Sequence, residues 1–389
     1  MKDPASLFFA MLVVLISFLF FHSPGTSDVN EDLRWISNAE KFGIVAGYTE
    51  NGDSYPPLIP LFLYSISKIT NALNLPVLIG FKLSLYLFLY LTAVIFYVAT
   101  RNLFLTSALV MAFISNTVAL CYLDIFMVPF LLLSYFALMR NRLTTFGILF
   151  ALSCMIKFQP LILLPPILIY LLAHQSMRTL WLRVVLPASG VVLIFLFIFR
   201  IELLTALARA LFYHHQLSAN AANLNWLLTY LLHVLKPEQF GPLVNGRVDF
   251  ISTTNPTIWL PSKLLFIFAF LWSLKQFHRG EKSTENLLLF SLIGYLIYFA
   301  FNTGVHENHL FPAMLLGFLI CTGKPKSIRN VVIISLIANL NMVLFYGIDG
   351  VGLPFSRIVG IDLSVLLSLI VVIFTVGFWK VSLQKLRST

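Results

Sequence analysis

An all-α bundle of membrane-spanning helices is the fold class this sequence predicts, and three observations predict it. Of its 389 residues, 59% are hydrophobic and only 11% are charged, less than half the roughly 25% charge of a soluble domain. The apolar residues come in long blocks, many close to the ~20 residues that cross a hydrocarbon layer of roughly 30 Å. Basic residues gather in every second gap between blocks, the pattern expected when Lys and Arg are retained on the cytoplasmic side. The expectation is a single transmembrane domain over 1–389, a polytopic bundle of about twelve spans. Its outer-face loops would carry short amphipathic helices.

Taken in order, the apolar blocks lie near 5–22, 76–100, 102–120, 125–139, 143–157, 159–174, 180–200, 257–275, 286–303, 309–323, 329–347 and 360–380. The pairs 102–139 and 143–174 read as long hairpins with polar tips. The first block follows Met1-Lys2-Asp3, and no small-x-small cleavage site precedes His22-Ser23-Pro24, so it reads as a retained anchor and not as a removed leader. With the N-terminus inside and alternation thereafter, the cytoplasmic gaps hold Lys2, Arg101, Arg140, Arg142, Arg178, Arg183, Lys275, Arg279, Lys282, Lys324, Lys326, Arg329, Lys380, Lys385 and Arg387. That is 15 of the 26 basic residues against three acids, Asp3, Glu281 and Glu285. Both termini are then cytoplasmic. The net charge of +10 is explained by these loops, and no nucleic-acid partner is expected. Cys121, Cys154 and Cys321 lie in apolar segments and form neither a disulfide framework nor a zinc pattern.

Two stretches stay out of the span count. Leu58–Leu73 begins at two prolines and carries Lys68, so a short helix lying flat on the outer surface is expected within a first outer loop over 23–75. Asn225–Leu235 is too short to cross and runs into the polar segment 236–255, giving a large outer loop over 201–256. No repeat of fixed period is visible.

This threading brings polar groups to the outer face. Asp28 and Asp32 open the first loop, and Arg34, Trp35 and Tyr55 follow. Asp124 sits at one hairpin tip, with Lys157 and Gln159 at the next. His214, His215, Asn223 and Asn225 fall in the large loop, and His306, Glu307 and His309 precede the tenth span. Each has an ordinary reading: Asp124 as a helix cap, Lys157 as a side chain snorkelling to the headgroups, His214 as a loop residue. Together they suit acid–base chemistry on an anionic substrate. A carboxylate takes a proton from a hydroxyl nucleophile, while Lys and His⁺ stabilise charge on a departing phosphate. No cofactor is called for, although an Asp/His/Glu cluster leaves a divalent metal open. Val-His-Glu-Asn-His does not follow the H-E-x-x-H zinc spacing.

Five motifs, in order, resemble the C-type superfamily of integral-membrane glycosyltransferases that take sugar from a polyprenyl-phosphate carrier. They are Asp28 followed seven residues later by Trp35 and then Tyr55-Pro56-Pro57-Leu58; Y-L-D-I-F around Asp124; I-K-F-Q-P-L-I-L-L-P with Lys157 and Gln159; S-A-N-A-A-N-L-N-W-L with Asn223 and Trp226; and G-V-H-E-N-H with His306 and Glu307. The resemblance runs from residue 28 to about 312, and the last two spans carry none of it. It implies transfer of a hexose, mannose or glucose, to a hydroxyl acceptor on the extracytoplasmic face, with inversion at the anomeric carbon. The partners would be a polyprenyl-phosphate-linked donor, a lipid or glycan acceptor and membrane lipids. Asp28 would be the general base, with Asp32 the alternative, and His306 with Lys157 would contact the donor phosphate. The family's cation after the H-E pair is Asn308 here, which leaves Arg34, Arg209 and Arg247 as candidates for that charge. The Tyr55-Pro-Pro element reads as a rigid loop, since two prolines fix the backbone and remove donors. Two other classes compete. A secondary transporter or lipid flippase would place acids near the midplane and often shows inverted repeats. A structural membrane protein would tolerate loss of Asp28 and His306.

Overall fold

The structure is a computed structural model that describes residues 3–52, 54–212, 215–353, 357–358 and 360–387. Lys2 and His214 lie outside the described residues. The chain is about 79% helical. Among the described residues, six helical segments are long and apolar enough to cross a membrane: Val77–Thr100, Met177–Phe199, Pro256–Arg279, Thr284–Phe301, Pro325–Tyr346 and Leu363–Gln384. Shorter apolar helices include Pro4–Leu19, Leu103–Ala119, Leu123–Met139, Leu143–Ile156, Gln159–His174 and Leu224–Leu235. A minimal antiparallel pair, Arg357–Ile358 with Ile361–Asp362, precedes the last helix.

The apolar segments differ in what covers them. Of Thr284–Phe301, 72% is buried within the protein, against 11% of Met177–Phe199, although the second is the more hydropathic. Water cannot be the neighbour of a helix that is apolar all round and uncovered by protein, and lipid can. Phe197, 87% exposed, is the extreme case.

The chain forms two compact units. The first comprises Met1–Leu161, Gln175–Tyr213 and Ile348–Gly350. Here the polar run after the first helix is itself helical, as Asp28–Phe42 and Ile44–Asn51, followed by Leu58–Ala72. Acids at Asp28 and Glu31 suit the positive N-terminal end of a helix. Val29, Asp32, Ile36 and Ala39 recur at helical spacing and, with Trp35, form its buried face. Gly43 (φ 82°) ends that helix, and Gly47 allows the next to fold back on it: a β-carbon there would lie 2.8 Å from the Ala39 backbone. Lys82, buried on Val77–Thr100, donates to the carbonyl oxygens of Phe21 and Ser23. The Tyr86 hydroxyl donates to the Ser17 carbonyl at 2.5 Å. These bonds fasten the end of the first helix.

The stretches expected as hairpins at 102–139 and 143–174 each hold two helices with a 3₁₀ turn between them. Leu103–Ile114 is capped by the Asn102 side chain (2.9 Å to Leu105 N) and loosens into a π turn through Ala119. The tip then runs through the 3₁₀ turn Leu123–Met127 into Val128–Met139, which packs along Leu143–Ile156.

The second unit comprises Ile162–His174, His214–Gly347 and Val351–Thr389. Thr284–Phe301 is its central helix, with Leu164–His174, Pro256–Arg279, Phe311–Gly323 and Leu363–Arg387 packed around it. The segment read as too short to cross is the helix Leu224–Leu235, whose Asn223 cap accepts from Trp226 N at 3.0 Å. Trp226 is held on both sides. Its ring meets Phe345 edge-on at 5.0 Å, and its indole N–H donates to Ser364 Oγ at 2.7 Å. Asp362 completes that bracket, accepting from Ser364 Oγ (2.8 Å) and from Val248 N (3.1 Å).

Candidate functional site

In the first unit four residues from three separate stretches come together. Asp124, wholly buried on its 3₁₀ turn, accepts from Lys157 Nζ at 2.5 Å and from Asn116 Nδ2 at 3.4 Å. Lys157 follows Leu143–Ile156 with an extended backbone (φ −150°, ψ 138°), which turns its side chain inward instead of along the helix. Its ammonium stands 5.6 Å from the Tyr55 ring, an attractive placement against the ring's negative face. Tyr55 meets Trp35 at 5.1 Å and 60°, and the Tyr48 hydroxyl holds the Tyr55 carbonyl at 2.8 Å. Lys157 therefore does not snorkel to the headgroups, and Asp124 is the partner of a cation instead of a helix cap.

Orphaned polar atoms accompany this cluster. The Trp35 indole nitrogen and both amide atoms of Gln159, two residues beyond Lys157, are buried with no hydrogen-bond partner among the described residues. Native proteins seldom leave such atoms without water or a ligand. Asp28, at the exposed start of its helix, has its backbone N–H on Thr26 Oγ1 at 3.3 Å. Asp32, one turn on, is buried. It lies close enough to act on Cys121, whose thiol is pushed up to about 11 by burial first; Lys82 lowers it and Asp32 raises it. Arg34 is exposed and paired with Glu31 at 2.6 Å.

In the second unit the Val-His-Glu-Asn-His motif forms the 3₁₀ turn Glu307–Leu310. The strand-like stretch at Ala219 and Asn220 bridges to His306, and Ala219 N donates to the Val305 carbonyl at 2.9 Å. The His306 and His309 rings are half-buried and 5.1 Å apart. His309 Nδ1 and the Tyr298 hydroxyl are 2.8 Å apart with their rings stacked, which sets the orientation of that imidazole. Glu307 and Asn308 are buried. Asn341 clamps the turn, donating to the Glu307 carbonyl at 3.0 Å and accepting from Ala222 N at 2.6 Å.

Asn223 is committed to the fold. Its Nδ2 donates to the Phe299 carbonyl at 3.0 Å while its Oδ1 caps Leu224–Leu235. Asn225 likewise donates to the carbonyls of Phe301 and Asn302. Of the candidate extra cations, Arg247 donates to the Leu353 carbonyl and Arg34 has its glutamate. Among the described residues no group of three or more His, Cys, Asp or Glu is placed to hold a metal ion. Tyr298, Asn341 and Asp362 went unread in the sequence. The Tyr298 ring falls within an apolar helical block, and only its approach to His309 marks it.

The first cluster is an ion pair already neutral in itself, beside aromatic rings and orphaned amide atoms. The second offers two imidazoles on a rigid turn, groups that donate to an anion when protonated. Neither the known family models nor the curated proteins give a match to this chain.

Proposed function

We propose that this chain is a multi-pass membrane hexosyltransferase that moves mannose or glucose from a polyprenyl-phosphate carrier to a hydroxyl acceptor on the extracytoplasmic face. The observation that carries the reading is the first cluster. Trp35, Tyr55, Asp124 and Lys157 were singled out from three separate motifs, and they are neighbours in one group, with the Trp35 indole nitrogen orphaned within it and the Gln159 amide orphaned two residues beyond Lys157. Ordinary solvated loops give no reason for that convergence. The topology that goes with it has about twelve spans and cytoplasmic termini. Leu58–Ala72 and Leu224–Leu235 then lie along the outer surface.

In this reading Asp28 is the base. Being exposed, it is open to an acceptor hydroxyl, whereas Asp32 is closed off beneath it. The acceptor oxygen attacks the anomeric carbon as the carboxylate takes its proton. The carbon–oxygen bond to the carrier phosphate breaks, and the phosphate leaves with the bond electrons. His306 contacts the donor phosphate. Lys157, already paired with Asp124, orders the aromatic floor instead of adding net positive charge. The reaction needs no nucleotide sugar on the outer face.

The test is release of free polyprenyl phosphate by purified protein in nanodiscs, with labelled polyprenyl-phosphate hexoses as donors and a membrane lipid extract as acceptor. Release by the wild type and not by Asp28→Asn supports the donor class and the base together. Release that survives Asp28→Asn but not Asp32→Asn moves the base by one helical turn. A second reading, a secondary transporter or flippase, is favoured by the fully buried Asp124–Lys157 pair, since ion pairs at membrane depth are expensive and commonly functional. Absence of release with every donor and the lipid extract would favour it.

A further inference from the structure

One basic residue lies outside both clusters and is placed where a soluble protein would not keep it. Arg200 directly follows the apolar stretch Met177–Phe199. At 1.5 Å per residue that stretch is about 34 Å long, so the residue after it reaches headgroup level when the helix crosses a bilayer. The backbone turns there with φ 53° and ψ −136°, a left-handed conformation that a β-carbon strains and that glycine adopts freely. Arginine is thus held at a corner built for glycine, and a strained residue that persists asks for a use of its side chain.

The surroundings say what that use is. Arg200 lines an open cavity of about 650 Å³ whose other lining residues are Leu196, Phe197, Ile198, Ile201 and Leu204. Every one of them is apolar. Phe197, Ile201 and Leu204 remain largely exposed, so the groove opens outward from the protein. The guanidinium makes no hydrogen bond or ion pair with any described residue. The nearest acid along the chain, Glu202, forms no ion pair with it. Below the corner, the helix Ile201–Phe212 turns Leu203 and Ala206 inward and keeps the apolar Ile201, Leu204 and Leu211 outward.

The geometry points to a built phospholipid site at this corner: the phosphate of a net-anionic phospholipid pairs with Arg200, and its acyl chain lies along Leu196, Phe197, Ile201 and Leu204. A planar guanidinium meets a phosphate through two parallel hydrogen bonds. The apolar lining selects a lipid over a free anion. A zwitterionic headgroup carries its own amine to compete for the same phosphate, and an anionic one does not. The inference is independent of the transfer reaction, since it uses none of the residues assigned to it.

The test is native mass spectrometry of the full-length protein in detergent, with phosphatidylglycerol and phosphatidylcholine added in equal amounts at low lipid-to-protein ratio. The first lipid retained by the wild type is expected to be phosphatidylglycerol, preferred by about fivefold, the size of one cationic contact at an anionic surface. Arg200→Gly relieves the backbone while removing the charge, so the variant should unfold no earlier than wild type in phosphatidylcholine yet lose the preference. Arg200→Lys should keep part of it. Phe197→Ser alters an almost fully exposed side chain and should lower retention of phosphatidylglycerol several-fold with Arg200 in place. An undiminished preference in Arg200→Gly, equal binding of the two lipids by the wild type, or unchanged retention in Phe197→Ser would overturn the proposal. Displacement of the lipid by millimolar inorganic phosphate would also overturn it, because the site would then be one for a soluble anion.

Discussion

The Asp124–Lys157 cluster and the His306–His309 turn were read from the sequence as equivalent polar groups in an apolar chain, yet they solve different problems. In the first unit a positive and a negative charge are buried together and cancel at 2.5 Å, with the Tyr55 ring beside the ammonium. In the second unit the groups are neutral or titratable, half-buried, and held by a tyrosine hydroxyl and an asparagine clamp. Burial of an ion pair offers rigidity; its charge is used up internally. A half-buried imidazole is not cancelled by an opposite charge in that way. In the proposed transfer reaction this difference favours His306 over Lys157 as the contact to the donor phosphate.

The largest expected effect sharpens the picture at the exposed edge of the first unit. Asp28→Asn should lower transfer by about a hundred- to ten-thousand-fold, the range for losing a general base, with thermal unfolding unchanged; full activity in the variant sinks the base assignment. Next comes the ion pair. Asp124→Ala leaves Lys157 buried without its carboxylate and should cost about 3–5 kcal/mol in unfolding free energy, whereas Asp124→Leu with Lys157→Met should recover most of it. If the single variant unfolds like wild type, the first cluster is not the rigid element described. The contrast between units breaks outright if Lys157→Met raises the KM for the donor while His306→Ala does not. The expected order is the reverse, with His306→Ala weakening donor binding about tenfold, as for a charge-assisted hydrogen bond of ~1.4 kcal/mol. Tyr298→Phe removes the hydroxyl that orients His309 and should have a smaller effect, about fivefold at ~1 kcal/mol. The mildest test concerns Cys121. With its thiol pushed up to about 11, the protonated form dominates well below that pH and the thiolate fraction rises as the pH approaches it. Alkylation of Cys121 at pH 8 should therefore be slow and should accelerate as pH approaches 11; rapid labelling at pH 8 would show the site open.

Several elements were legible before any coordinates. The apolar blocks at 76–100, 257–275 and 286–303 appear as Val77–Thr100, Pro256–Arg279 and Thr284–Phe301, because helix length in a bilayer is set by composition over a long window. The flanked segments 58–73 and 225–235 are helices at nearly those bounds. What was read as a polar loop after the first span proved to be two helices, Asp28–Phe42 and Ile44–Asn51. The pattern of Val29, Asp32, Ile36 and Ala39 was present, but the buried acid Asp32 within it hid the apolar stripe. Asn223 shows what a motif cannot reveal: its amide is engaged by the Phe299 carbonyl and the Trp226 N–H.

The sequence by itself determined that this chain is helical and built for lipid, and it picked out the ionisable residues that stand out in an apolar chain. Those properties follow from local composition and from period, which need no knowledge of what lies across the fold. Only the tertiary structure decided which of those residues are neighbours and which are already engaged. Lys157 and Asp124 are 33 positions apart, His309 and Tyr298 belong to different helical elements, and Arg200 is distinguished by a backbone angle and an uncovered groove. A side chain's charge is written in the chain, but whether that charge is cancelled depends on the partner that folding brings to it.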